Sequence, residues 1–97
     1  MRREAVLELL ARHMDDMRQR FDVRSLALFG SHARDEARPD SDVDLLVEFG
    51  GPVTFLGFMD LTDYLERLFG TRVDLTTTED LKSRVRPYVE KELIRVA

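Results

Sequence analysis

The sequence predicts a single α/β domain in which a small mixed β-sheet is flanked by helices, and three patterns predict it. Apolar residues step by threes and fours from Arg2 to Arg20 and again from Phe55 to Phe69; short β-compatible runs lie at 23–29, 42–49 and 71–76; glycine, proline and small polar residues separate them. Helical and strand-like segments in alternation are the pattern of an α/β arrangement. The 97 residues leave room for one hydrophobic core, so residues 1–97 are expected to form one domain.

In the first segment Val6, Leu7, Leu10, Met14, Met17 and Phe21 share one helical stripe. Val23 to Phe29 is apolar and ends at Gly30, as a buried strand should, and Ser31 to Ala37 is expected to open a short helix. Arg38-Pro39-Asp40-Ser41 has turn chemistry, and Asp42 to Phe49 is the second strand. Gly50-Gly51-Pro52 breaks the chain before Thr54, which can cap a helix over Phe55 to Phe69. That helix should bury Phe55, Phe58, Met59, Thr62, Leu65 and Leu68, and Gly70 should take the left-handed position after it. Thr71 to Thr76 is the third strand, and Thr76 with Glu79 and Thr77 with Asp80 have capping-box spacing. Short helices near Leu81 and from Pro87 are expected to close the domain, with Leu93-Ile94-Arg95-Val96 able to extend as a strand instead.

Composition narrows the chemistry. A 43% hydrophobic fraction is too high for disorder, and no apolar run approaches the ~20 residues of a membrane span. The Met1-Arg2-Arg3-Glu4 start leads into a charged helix and not a signal-peptide core, so a cytoplasmic protein is expected. Cysteine is absent and only His13 and His32 are available, which leaves oxygen as the donor for any metal. With 19 acidic and 15 basic residues the net charge of -4 disfavours strong nucleic-acid binding. The early and late arginines and lysines read as solvated helix faces.

The informative segment is Leu28-Phe29-Gly30-Ser31-His32-Ala33-Arg34 followed, after a linker, by Ser41-Asp42-Val43-Asp44-Leu45-Leu46-Val47. Side chains two apart on a strand share a face, so Asp42 and Asp44 project together while Val43, Leu45 and Val47 face the other way. Two converging carboxylates repel unless a cation lies between them, and such hard oxygen donors suit magnesium. Gly30-Ser31 lies where a strand turns into a helix, so backbone N–H groups and the serine hydroxyl can meet an anion such as a triphosphate. The plainer readings are a solvated acidic loop for the two aspartates and a simple helix cap for Ser31. Arg34 can touch phosphate or pair with Asp35, Glu36 or Asp40, His32 reads as an exposed turn residue, and His13 reads as lying at the margin of the first helix's buried stripe.

G-S-x-A-R followed closely by S-D-x-D-L-L-V resembles the signature of DNA polymerase beta-like nucleotidyltransferases, in particular the minimal nucleotidyltransferase (MNT) family. The resemblance spans essentially the whole chain. It implies the polymerase-beta-like core, with Gly30, Ser31 and Arg34 at the nucleotide and Asp42 and Asp44 as magnesium ligands and catalytic residues. Asp74, in Arg72-Val73-Asp74-Leu75, matches the family's third catalytic carboxylate and metal ligand; the plainer reading is an edge-strand charge facing water.

The implied cofactor is Mg2+, two ions, with ATP as substrate and AMP passed to an acceptor hydroxyl. The implied partner is a HEPN-domain toxin, modified on a tyrosine and held in a hetero-oligomer, with this chain as the antitoxin. Two other readings are an antitoxin of weak or no activity that masks its partner by binding, and a small-molecule or tRNA nucleotidyltransferase. Relatives commonly carry glycine where Asp35 stands here, and that extra negative charge is expected to weaken nucleotide affinity.

Overall fold

The computed structural model describes residues 1–80 and 92–96. Helix α1 (Arg3–Phe21) is followed by β1 (Val23–Phe29), the single-turn helix α2 (Gly30–Ala33), β2 (Val43–Phe49), α3 (Phe55–Phe69), β3 (Val73–Thr77) and the two-residue β4 (Ile94–Arg95). The mixed α/β architecture is the one expected. The helices expected near Leu81 and Pro87 lie outside the described residues, and of the two readings of Leu93 to Val96 the strand is the one observed.

The strands form one sheet in the order β3-β2-β1-β4. β1 and β2 are antiparallel, with Leu28 opposite Leu45 and Phe29 opposite Asp44. β2 and β3 are parallel, which requires a crossover, and α3 provides it. β4 closes the other edge, antiparallel to β1, and the pairing continues where Val96 N–H donates to the Leu26 carbonyl at 2.8 Å.

One face of the sheet carries the core. Val6, Leu10, Met14 and Met17 of α1 pack with Leu26 and Leu28, Val43, Leu45 and Val47, Val73 and Leu75, and with Leu61 and Leu65 of α3. Period-2 alternation sends the intervening residues to the opposite face, where Ala27 and Leu46 form a smaller apolar patch with Phe29 and Leu93. Asp44 and Asp74 belong to that second face, away from α1 and α3. No described helix is long and apolar enough to cross a membrane.

The ends of α3 are as expected: Thr54 Oγ1 accepts from Gly57 N–H at 2.9 Å, and Gly70 is left-handed at φ 67°. Its buried stripe differs. Leu61 and Leu65 are fully buried with Phe58 and Leu68 beside them, whereas Phe55 is 78% and Met59 42% exposed. The stripe is centred on the part of the helix that lies over the sheet; no described element covers its first turn, so the apolar character of Phe55 and Met59 does not translate into burial. Toward the other end, Glu66 accepts from Val73 N–H at 3.1 Å and so ties α3 to the start of β3. Tyr64 donates to Asp16 at 2.8 Å, with the Arg20 guanidinium 5.3 Å from the Phe21 and Tyr64 ring centres, which links α3 to α1. Arg12, Arg18 and Arg20 lie on the solvated face of α1, Arg12 bonding Glu8 at 2.7 Å and Arg18 bonding Asp15 at 3.0 Å, whereas Arg3 is half-buried and donates to the Ala33 carbonyl at 3.3 Å.

These placements separate two apolar residues of one helix. Leu65→Ala should cost about 2–5 kcal/mol of unfolding free energy through lost burial and the cavity left behind. Phe55→Ala should change it by less than about 0.5 kcal/mol, as an exposed substitution does. Urea titrations followed by far-UV circular dichroism check both, and equal losses would contradict the described orientation of α3.

Candidate active site

Antiparallel pairing puts the C-terminal end of β1 beside the N-terminal end of β2, and parallel pairing puts the start of β3 beside the start of β2. Gly30-Ser31, Asp42-Asp44 and Asp74, far apart in the chain, are thereby brought to the same end of the sheet. Asp44 and Asp74 are direct register partners, with the strand axes about 4.8 Å apart. Asp42 stands one residue before β2 and is exposed, not within the strand as expected; the backbone there is set by Val43 N–H donating to the Arg72 carbonyl at 3.0 Å. Ser41 makes the preceding turn, its Oγ accepting from Arg38 N–H at 2.9 Å.

The glycine of the turn is required by contact as well as by conformation. Gly30 has φ 74°, in the left-handed region, and a Cβ placed there would run into the Asp44 carboxylate, with Asp44 Cγ only 2.9 Å away. The backbone that leads into α2 therefore lies directly against one of the acidic side chains. Helix-opening N–H groups have no partner within the helix, and Ser31 beside them is half-buried.

Asp44 carries the electrostatic signature of the cluster. Its carboxyl is pushed up to about 6, first by burial and then by the negative charges of Asp74 and Asp42. Arg34 counteracts this shift, while Glu92 adds to it. Among the described residues no three Asp, Glu or His side chains are gathered into a set that could hold a metal ion as they stand. The three aspartates thus adjoin one another along the backbone without converging on a point. Their chemistry still fits a hard divalent cation: all are oxygen donors, they sit at neighbouring backbone positions, and a cation would relieve the repulsion that raises Asp44.

Several residues sit differently from the sequence expectation. His32 is not an exposed turn residue but is 3% exposed. The short α2 turns it inward, its ring bonded to the Asp42 backbone and its Nδ1 buried without a hydrogen-bond partner. Burial is the main cause that lowers its pKa. His13 does lie at the margin of the α1 stripe, half-buried, with Nδ1 2.9 Å from the Leu9 carbonyl oxygen. Asp35 occupies a left-handed position at φ 58°, a conformation glycine adopts without strain. Its carboxylate accepts from Arg3 N–H at 3.1 Å, so the extra charge is directed to the start of α1, where the helix dipole favours it. Arg34 pairs with Glu36 at 3.1 Å and with Glu92 at 2.8 Å. Glu92 escaped the sequence reading because it lies 58 positions from Arg34 and belongs to no local pattern.

A cleft of ≈ 560 Å³ between α1 and α3, lined by His13, Arg20, Tyr64 and Arg67 among others, lies on the other face of the sheet. Asp60 and Asp63 also line it, but Asp42, Asp44, Asp74 and the glycine turn do not.

Residues 10–96 match the family model of the nucleotidyltransferase domain. The chain is 43% identical over 93 residues to the protein adenylyltransferase MntA of Thermococcus cleftensis, covering 96% of this chain and 94% of that one. A solved structure described as that of a minimal nucleotidyltransferase superposes with a TM-score of 0.79 at 38% identity, over 97% of this chain and 95% of the other. The fold is also that of the chain matched in the complex of a tri-AMPylated Shewanella oneidensis HEPN toxin with its MNT antitoxin, at a TM-score of 0.62 and 17% identity, over 94% and 71% of the two chains.

Two outcomes follow from the site geometry. Gly30→Ala places a methyl group in a left-handed backbone and against the Asp44 carboxylate, and should destabilise the domain by about 1–3 kcal/mol in denaturant titrations. The second concerns pH. Because the folded protein holds the Asp44 proton more tightly than the unfolded chain, this group's stabilising effect is full below pH 3.8 and is lost as pH rises through about 6. In EDTA, Asp44→Asn should therefore raise the melting temperature at pH 7.5 and leave it nearly unchanged at pH 4. An equal effect at both pH values would contradict the raised pKa.

Proposed function

Since the chain belongs to the nucleotidyltransferase domain family, we propose that it is a magnesium-dependent protein adenylyltransferase that moves AMP from ATP to a hydroxyl, a tyrosine of a HEPN-domain toxin, and so acts as an antitoxin. The observation that carries this reading is the contact of Gly30 with Asp44, itself paired with Asp74. A glycine-serine turn adjoining acidic side chains is the combination that a metal-bound triphosphate calls for, and this supports the reading. The naming of the Thermococcus cleftensis relative supports the adenylyl group, and the Shewanella oneidensis complex supports the class of partner.

In this proposal Asp42, Asp44 and Asp74 hold the metal, two ions in the family's arrangement, and the bound metal supplies positive charge for the triphosphate oxygens and the departing pyrophosphate. The amide groups of Gly30 and Ser31 and the Ser31 hydroxyl donate to the triphosphate. Arg34 offers its guanidinium once phosphate displaces Glu36 or Glu92, an exchange with little cost because exposed ion pairs contribute only about 0–1 kcal/mol. Asp74 orients the acceptor hydroxyl and takes its proton. A bond forms between the acceptor oxygen and the α-phosphorus, the bond from the α-phosphorus to the bridging oxygen breaks, and pyrophosphate leaves. A weakened nucleotide site at Asp35 would favour the masking alternative, but that carboxylate accepts from Arg3 N–H at the start of α1.

With α-labelled ATP, magnesium and a co-expressed partner, label should appear on the partner. Asp42→Asn and Asp44→Asn should each reduce transfer to about a hundredth or less, the scale for losing a group that stabilises transition-state charge. Label that persists in both variants rejects the assignment. Full protection of cells by an Asp42, Asp44 and Asp74 triple alanine variant would favour neutralisation by binding.

A further inference from the structure

His32 is a buried histidine beside the phosphate-type turn, and nothing in the transfer chemistry uses it. Its side chain is 3% exposed, its Nδ1 has no hydrogen-bond partner, and its ring bonds the Asp42 backbone. With Nδ1 unpaired, the donor is Nε2–H and the acceptor is the Asp42 carbonyl. A small cavity is lined by His32 together with Ser41 and Val43, the two residues that flank Asp42, so the histidine and this stretch of backbone border the same space.

This contact answers a structural problem. Asp42 precedes the first ladder residue of β2, and most of residues 34–42 are exposed. The Arg72 carbonyl fixes Val43 from one side, yet the sheet itself does not hold the backbone of Asp42. α2 carries His32 immediately after Gly30 and Ser31, so one helical turn links the turn to the aspartate across the linker. From the juxtaposition of the buried His32 ring with the Asp42 carbonyl, we infer that His32 is a positioning residue that aims the Asp42 carboxylate at the metal and keeps it in register with Gly30 and Ser31. The inference rests on the proposed reading of Asp42, Asp44 and Asp74 as metal ligands.

The test measures Mn2+ affinity by electron paramagnetic resonance in the presence of ATP, with melting temperatures recorded in parallel on the whole protein. His32→Phe keeps a ring of similar size and removes the donor; His32→Gln restores an amide N–H at about the reach of Nε2. Met14→Ala reports on destabilisation of the core remote from Asp42. The expected result is a loss of Mn2+ affinity in His32→Phe of about tenfold or more, the scale for removing a partner that orients a metal ligand. His32→Gln should recover most of that loss, and Met14→Ala should bind as wild type does despite its lower melting temperature.

Wild-type affinity in His32→Phe overturns the inference and leaves the proposed function standing. So does equal weakening in His32→Phe and His32→Gln, or in His32→Phe and Met14→Ala. A wild-type protein that binds no Mn2+ with ATP overturns both readings. Should His32→Phe not fold, nitrogen-15 spectra of the wild-type imidazole decide the matter. A protected Nε2–H with bare Nδ1 supports the contact, and a proton resident on Nδ1 with bare Nε2 overturns it.

Discussion

The close approach of Gly30 to Asp44 is the constraint around which the acidic end of the sheet is organised. β1 and β2 pair so that Phe29 lies opposite Asp44, and the chain must leave β1 next to that carboxylate. A left-handed residue without a Cβ lets the backbone turn into α2 at van der Waals distance from the acid. A bulkier residue would force the turn outward, separating the amides of α2 from the acidic side chains. The parallel register of β2 with β3, imposed by the α3 crossover, then adds Asp74 to the same end.

This arrangement concentrates negative charge in a position that folding alone does not favour. Asp44 is raised to about 6 because burial and two neighbouring carboxylates all oppose its ionisation. The surrounding cations do little to compensate: Arg34 is shared between Glu36 and Glu92. Stability comes from the other face, where the leucines, valines and methionines of the helices and strands form one continuous core. The two faces thus divide the work, one supplying hydrophobic stabilisation and the other holding a strained cluster of acids. A raised carboxyl of this kind, on the face of the sheet opposite the main core and beside a glycine turn, is the sort of perturbation found at sites that bind charged ligands.

Much of the fold was legible from local pattern. The apolar stripe of α1, the limits of β1, the Thr54 cap and the left-handed Gly70 all depend on neighbours within a few residues, and local sequence encodes such features well. The acidic pair and the glycine-serine turn were legible for the same reason, since each is a short motif. What failed depended on distant partners. Phe55 and Met59 are apolar and correctly spaced, yet no described element lies above them. His32 looked like an ordinary polar turn residue because its partner, the Asp42 backbone, is ten positions away. The contact of the Asp35 carboxylate with the start of the first helix, 32 positions away, was likewise not legible in the local sequence.

The sequence by itself determined the order of helices and strands as far as β3, the family, and the residue types available for chemistry, because periodicity, turn residues and short motifs act over a few positions. The family resemblance already pointed to Asp74 as the third acid; tertiary structure alone decided that it is the direct register partner of Asp44, that Glu92 shares Arg34, and that His32 bonds the Asp42 backbone. Strand register and helix crossover join residues tens of positions apart, and no local pattern specifies which side chains will meet when the sheet closes.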